Sequence, residues 1–287
     1  MTRHFLEIDD LSATELAMVL DLSEQPIANL PKALAGQGVA LLFEKPSART
    51  RNSTEMAVVQ LGGHPVTIRG EEVGLDVRES VEDVTRTLAC YHGAIAARVY
   101  EHSKLERMAA VSPVPVVNLL SDQTHPIQVL ADLLTIRQAF GGLSGRTLAY
   151  IGDGNNMAHA LALAGPLVGM KVRVASPAGY ELRGTDAELT SDPVAAVAGA
   201  DVVYTDVWTS MGQEAEAAAR NKAFAGFRVD DALMSHAAPT AIFLHCLPAH
   251  REQEVTASVI DGPQSRVWPQ AENRMHVARG LLSFLLS

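Results

Sequence analysis

Short apolar runs recur along this chain at the interval of strand–helix–strand units, and most of them break off into a polar cluster. The runs are VALLF at 39–43, a stretch at 65–68, AIAARV at 94–99 and one at 114–118. They continue with TLAYIGD from 147, VRVASP, the strand inside AVAGADVVYTDV at about 201–207, and TAIFLHCLP at about 241–246. Between them lie helical patterns: about 48–61, closed by Gly62 and Gly63, then EDVTRTLACY, a helix opening at HPIQ, and NNMAHALALAGPLVG. Residues 9–22 place acids and Ser12 ahead of spaced leucines, as a capped amphipathic helix does. Helix alternating with strand predicts an α/β fold with mainly parallel sheets flanked by helices. At 287 residues the chain exceeds ordinary single-domain size, so two domains are expected. The seam falls at about 130–145, where the HPIQ helix ends in FGGLSG, which divides the chain into 1–135 and 136–269.

Charge narrows the partners. With 33 acidic and 23 basic residues the net charge is −10, which argues against nucleic acid or an anionic membrane as a partner. A small anion needs only a local cation cluster. Two cysteines, Cys90 and Cys246, make no disulfide framework and suit a reducing compartment. The opening MTRHFLEIDD has acids where a signal peptide needs its apolar segment, and no apolar run approaches a membrane span of about 18–20 residues. A cytoplasmic protein is expected.

FEKPSARTRN at 43–52 sets Lys45, Arg49 and Arg51 beside the hydroxyls of Ser47 and Thr50, just after an apolar run. A strand, a turn and a helix start gather free N–H groups and the positive end of the helix dipole at one point, the makings of an anion site. Ser47 or Thr50 would cap that helix in any case. Residues two apart on a helix are about 200° apart, so Arg49 and Arg51 should serve different targets, one a ligand and the other an internal partner. At 124–132, THPIQVLAD opens a helix on which His125 and Gln128 share a face, able to donate to a carbonyl and accept from an amide. No second His or Cys stands there at ligand spacing, so no metal is expected. GDGNN at 152–156 sits between strand and helix but departs from the dinucleotide fingerprint, with Met157 where the last glycine belongs. In YTDVWTSMGQE, Asp206 can bind an ammonium group, and in HCLP, Cys246 is either a structural thiol or a nucleophile.

Taken in order, FEKPSARTR, HPIQVLADLLT, GDGNN, DVWTSMGQE, FLHCLP and AENR resemble the landmarks of the aspartate/ornithine carbamoyltransferase family, over nearly the whole chain. The SMG and HCLP segments resemble its ornithine branch. The resemblance implies an N-terminal domain for carbamoyl phosphate, a second domain for ornithine, a final helix at 270–287 packing back on the first domain, and a homotrimer. It implies no cofactor and no metal. Position by position it implies that Ser47, Ala48, Arg49 and Thr50 hold the phosphate. Arg98, His125, Gln128 and Arg274 then hold the carbamoyl group, while Asn156, Asp206, Ser210, Met211, Cys246 and Leu247 bind ornithine. Catalysis would rest on Arg49, Arg98, His125, Asp206, Cys246 and Arg274, and the product would be citrulline for arginine biosynthesis.

Three departures from the family pattern stand out. Ala48 replaces a usual threonine. GEEVGLDVRES, with Glu72, stands where many members carry a glutamine and a shorter loop. GYELRGTDAELTSDP is shorter than the usual span, as if a peripheral helix were missing. The alternatives are a carbamoyltransferase for a modified ornithine or another amine, and a catalytically silent ligand-binding relative.

Overall fold

The structure is a computed structural model that describes residues 2–209 and 214–287. The chain folds into two compact units, Met1–Leu134 with Glu272–Ser287, and Thr135–Ala271. It passes from one to the other within two helices, Pro126–Phe140 and Val267–Leu285.

In the first unit, β1 (Gly38–Phe43), β2 (His64–Arg69), β3 (His92–Arg98) and β4 (Val116–Leu120) form a wholly parallel sheet in the order β2-β1-β3-β4. β1 and β3 are the inner strands, and their near-continuous apolar sequence is what burial on both faces demands. The helices are α1 (Ala13–Glu24), α2 (Ala48–Gln60), α3 (Val81–Ala89), α4 (His102–Val111) and the start of α5 (Pro126–Phe140). Ser12 caps α1 in a reciprocal box with Glu15, and the turn after α2 is closed by Gly62 at φ +82°, a value that favours glycine. Leu42, Ile95 and Val116 from the sheet pack with Val84, Leu105 and Met108 from α3 and α4 in one apolar cluster. The GEEVGLDVRES segment forms a short helix, Gly70–Val73, and a turn held by Arg107, which forks onto Asp76 and Glu82. Glu72 is exposed there and accepts the backbone N–H of Arg69, so it serves its own turn.

In the second unit, β5 (Thr147–Ile151), β6 (Lys171–Ala175), β7 (Glu188–Thr190), β8 (Val202–Thr205) and β9 (Ile242–His245) are parallel, in the order β7-β6-β5-β8-β9. Its principal helices are α6 (Asn156–Leu167), α7 (Ala217–Ala223) and the first turns of α8 (Val267–Leu285). Phe224, Phe243, Val229 and Trp208 centre its core. β6 connects to its parallel neighbour β7 without a helix over 176–187, an uncommon connection, since parallel crossovers are usually helical. Leu189 on β7 is half exposed as a result.

Both sheets reverse their strand order at one place. In the first it lies between β1 and β3, in the second between β5 and β8. In open parallel sheets such a switch point leaves a crevice at the carboxyl ends of the two strands, where ligands bind. FEKPSART follows β1, Arg98 ends β3, GDGNN follows β5 and Asp206 follows β8. Each of these polar clusters, hung by the sequence on an apolar run, thus stands at a switch point.

Candidate active site

At the switch point of the first unit, Ser47 is the N-cap of α2, and its Oγ accepts the Thr50 N–H at 3.3 Å. The first intrahelical bond runs from Arg51 N–H to Ser47 C=O, so the amides of Ala48 and Arg49 have no intrahelical acceptor. The Ser47 hydroxyl also donates to Thr50 Oγ1 at 3.1 Å, and Arg274 Nη2 donates to the same oxygen at 2.9 Å. With two donors aimed at it, Thr50 Oγ1 has its own hydrogen left for an acceptor. Arg51 pairs with Glu55 at 2.8 Å, whereas the neighbouring Arg49 is exposed on another face of the helix. A cavity of about 480 Å³ opens beside the cap, lined by Ser47, Ala48, Pro46, Thr67 and Arg69 among others.

Arg98, at the end of β3, is 7% exposed, and His125, immediately before α5, is 6% exposed. Burial, reinforced by the charges of Arg274 and Arg98, holds the His125 imidazole well below the usual histidine range, so it is neutral at pH 7. Its buried Nδ1 has no hydrogen-bond partner among the described residues. Gln128, three residues on, is fixed from both ends: its Nε2 donates to Asp132 at 2.8 Å and its Oε1 accepts from Arg274 Nη1. Arg274 therefore bridges Gln128 and Thr50, two residues brought together from different helices. Lys45 lies over the Tyr100 ring at 4.7 Å, and burial, with Arg98 acting in the same direction, lowers its pKa. This unit thus presents cations, a neutral imidazole and oriented donors around one strand-end crevice. Such an array suits a phosphorylated carbonyl compound, whose phosphate and carbonyl oxygens all accept hydrogen bonds.

At the switch point of the second unit, Asp206 is 7% exposed. Its Oδ1 accepts from the Val207 N–H at 2.8 Å and from Cys246 Sγ at 3.0 Å, while its Oδ2 accepts from Asn155 Nδ2 at 3.0 Å. Asn155 cannot turn over, because its Oδ1 takes the hydroxyl of Tyr150 at 3.1 Å and the N–H groups of Met157 and Ala158. Burial, with Asp206 and Asp153 adding to it, pushes the Tyr150 hydroxyl well above its usual range and keeps it a donor. Leu247, after Cys246, holds φ +59° and gives its N–H to His245 Nδ1 at 2.9 Å. Since Nδ1 accepts, the His245 proton sits on Nε2, 3.2 Å from Glu254 Oε1. Asp206, His245 and Cys246 bring potential ligand atoms within 4.8 Å of one another. With both ring nitrogens engaged, His245 has no lone pair to give a metal.

The sequence expectations map onto this geometry unevenly. Ser47, Thr50, Gln128 and Arg274 are joined by hydrogen bonds, with Arg98 and His125 beside them through charge. Asp206 and Cys246 are in contact, and Leu247 shapes the turn that carries Cys246. Asn156 is the first residue of α6, and the amide of its neighbour Asn155 reaches Asp206. The N-cap preference for Asn before an apolar helix is the local signal that points to Asn155. Arg220, which grips Asp153 of the GDGNN loop, has no such signal in its surroundings. Ser210 and Met211 lie outside the described residues.

Comparison with known proteins points one way. Residues 3–138 match the family model for the aspartate/ornithine carbamoyltransferase carbamoyl-P binding domain, and residues 144–285 match the model for its Asp/Orn binding domain. The ornithine carbamoyltransferase of Acidothermus cellulolyticus is 52% identical, over 100% of this chain and 97% of that protein. The crystal structure of ornithine carbamoyltransferase from Thermus thermophilus aligns with a TM-score of 0.93 at 44% identity, covering 100% of both chains. The ornithine carbamoyltransferase structure from Pyrococcus furiosus aligns with a TM-score of 0.94 at 44% identity, over 99% of this chain and 96% of that one.

Proposed function

The chain belongs to the aspartate/ornithine carbamoyltransferase family, and from that premise we propose that it transfers the carbamoyl group of carbamoyl phosphate to the δ-amine of L-ornithine. The products are L-citrulline and phosphate. The observation that carries the choice of acceptor is Asp206, a buried carboxylate braced by Asn155 and Cys246 at the second switch point. A carboxylate there suits a cationic amino acid and repels a second carboxylate such as the side chain of aspartate.

Carbamoyl phosphate binds in the first unit. Its phosphate takes the amides and hydroxyls at the start of α2 with Arg49. Its carbonyl oxygen takes donors from the group of Arg98, His125, Gln128 and Arg274. The neutral δ-amine attacks the carbamoyl carbon, a carbon–nitrogen bond forms, and negative charge builds on the carbonyl oxygen. The carbon–oxygen bond to phosphate then breaks, and phosphate departs with the electron pair. A neutral His125 donates a hydrogen bond without adding to the crowd of cations. Preformed donors of this kind lower the barrier, and losing one costs about 10²–10³ in rate. The amine proton leaves through the neighbourhood of Asp206 and Cys246, with Ser210 and Met211 completing the ornithine site.

The assembly we propose is a homotrimer, supported by the exposed apolar side chains of Met56 and Val59 on α2 and Val66 on the edge strand β2. A cytoplasmic setting and a place in arginine biosynthesis go with this reading. Its support is the two cysteines, Cys90 and Cys246, neither of them in a disulfide. No described helix is long and apolar enough to cross a membrane.

The test is an acceptor panel. Phosphate release from carbamoyl phosphate is followed with ornithine, N-acetylornithine, putrescine or aspartate. Ornithine should exceed every other acceptor in kcat/KM by at least about a hundredfold, the scale of a site built around a polar group. Faster turnover with N-acetylornithine or putrescine would reassign the acceptor, and no turnover with any of them would leave a binding protein.

A further inference from the structure

The second unit puts two carboxylates at neighbouring strand ends, Asp206 after β8 and Asp153 after β5. Only Asp206 has a part in the reaction above. Asp153 is 9% exposed and sits two residues before Asn155, the side chain that braces Asp206. Its partner is Arg220 on α7, itself 6% exposed. Arg220 Nη1 donates to Asp153 Oδ2 at 2.7 Å and to the carbonyl of Trp208 at 3.0 Å. Its Nε reaches Glu216 at 3.1 Å, and its guanidinium lies over the Tyr180 ring at 4.9 Å. One buried cation therefore ties the loop after β5 to the loop after β8, two residues beyond Asp206.

Charge makes this tie more than mechanical. Burial raises the Asp153 pKa and Asp206 pushes it the same way, while Arg220 pulls against both. Without Arg220, two buried carboxylates would share one crevice, and such pairs resist double ionisation. Without Asp153, an unbalanced buried cation would stand beside a site meant for an ammonium group.

We propose that Asp153 and Arg220 are positioning residues for the acceptor amino acid. As a pair they cancel the second carboxylate and lock the two strand-end loops, so that Asp206 is held in place for the substrate's ammonium group. The inference rests on the reading that Asp206 takes the ammonium group of ornithine.

The test is a double-mutant cycle in the full-length enzyme, with Arg220→Met, Asp153→Asn and the two combined. Ornithine KM, carbamoyl phosphate KM and melting temperature are measured for each. Each single change should raise ornithine KM about tenfold or more, with carbamoyl phosphate KM held within about twofold. Neutral replacement of a whole buried pair is often tolerated, so the double variant should return ornithine KM to within about threefold of the parent. A double variant that melts like the parent but keeps the ornithine defect would overturn the proposal, as would equal changes in both KM values. Arg220→Lys keeps the charge but loses the planar fork, and it serves if the Met variant fails to fold. A rise of about three- to tenfold in ornithine KM alone is expected, and an unchanged value would overturn the proposal. Asp206→Asn run alongside separates the two claims. An unchanged ornithine KM there overturns the assignment of Asp206 and this inference with it. A raised KM there, without rescue in the double variant, overturns the inference alone.

Discussion

Replacing Arg274 with lysine isolates the geometry of the first unit from its charge. Arg274 is 5% exposed, and its two terminal nitrogens donate to different partners, Nη1 to Gln128 Oε1 and Nη2 to Thr50 Oγ1. Lysine keeps the positive charge, but its single nitrogen cannot span both acceptors in the planar arrangement of a guanidinium. At least one hydrogen bond to a charged donor is lost, worth about 1.5–3 kcal/mol at a buried site. If that bond positions groups that meet the carbamoyl oxygen as charge develops, the whole loss appears in the barrier. At about 1.4 kcal/mol per decade, kcat/KM for carbamoyl phosphate should fall about 10–150-fold. The assay is the initial rate of citrulline formation with one substrate varied and the other saturating. Ornithine KM should stay within about threefold of the parent, because Asp206 and its supports are unchanged. A fall in kcat/KM of less than threefold would refute the bridging role, and so would a larger effect on ornithine than on carbamoyl phosphate.

Three further outcomes follow from the same geometry. Asp206→Asn removes a charged partner for the amine, so ornithine KM should rise about 10–150-fold while carbamoyl phosphate KM stays nearly constant; steady-state kinetics with both substrates varied checks the split. The folded protein keeps His125 neutral, whereas the unfolded chain takes up a proton below about pH 6.5. The unfolded state then binds more protons, so this residue's contribution to stability is lost as pH falls below that value, by up to about 1.4 kcal/mol per pH unit. Urea melts between pH 5 and 7.5 should show a shallower loss in His125→Asn than in the parent, and equal slopes would contradict the assignment. Finally, Ala48→Thr adds a hydroxyl at the exposed start of α2, on the wall of the cavity; carbamoyl phosphate KM should fall about two- to tenfold, and an unchanged or raised value would contradict the phosphate site.

Much of the architecture is legible in the sequence because β1, β3, β5, β8 and β9 are nearly unbroken apolar runs that lead into polar clusters. β1, β3, β5 and β9 fall where those runs stand, and α2 starts at Ala48 as the turn chemistry implies. β4 begins at Val116 rather than 114, since Pro115 has no N–H to give a ladder. β7 leaves little trace because it is a three-residue edge strand, Glu188–Thr190, with little apolar character. α4 gives a weak signal because HSKLERMAAV spends its apolar residues on one face only, with Leu105 and Met108 buried.

The candidate site shows the same division. Spacing alone sets His125 and Gln128 at the start of one helix, with His125 just before its first residue, and Arg51 separates from Arg49 by helical angle. Contacts across long separations have no local signal. The bonds from Arg274 to Thr50, Asn155 to Asp206 and Arg220 to Asp153 join residues 224, 51 and 67 positions apart. Family resemblance supplies Arg274 and the N-cap preference points to Asn155, though not to its partner, whereas the role of Arg220 comes only with the fold.

The proposed reaction turns on one bond, from the carbamoyl carbon to the δ-nitrogen of ornithine. It is followed most directly by ¹³C NMR of purified protein with ¹³C-labelled carbamoyl phosphate and ornithine. The label should move to the ureido carbon of citrulline as an equal amount of phosphate appears, and Arg274→Lys should slow the transfer. Label lost only to bicarbonate, at the rate seen without protein, would contradict it.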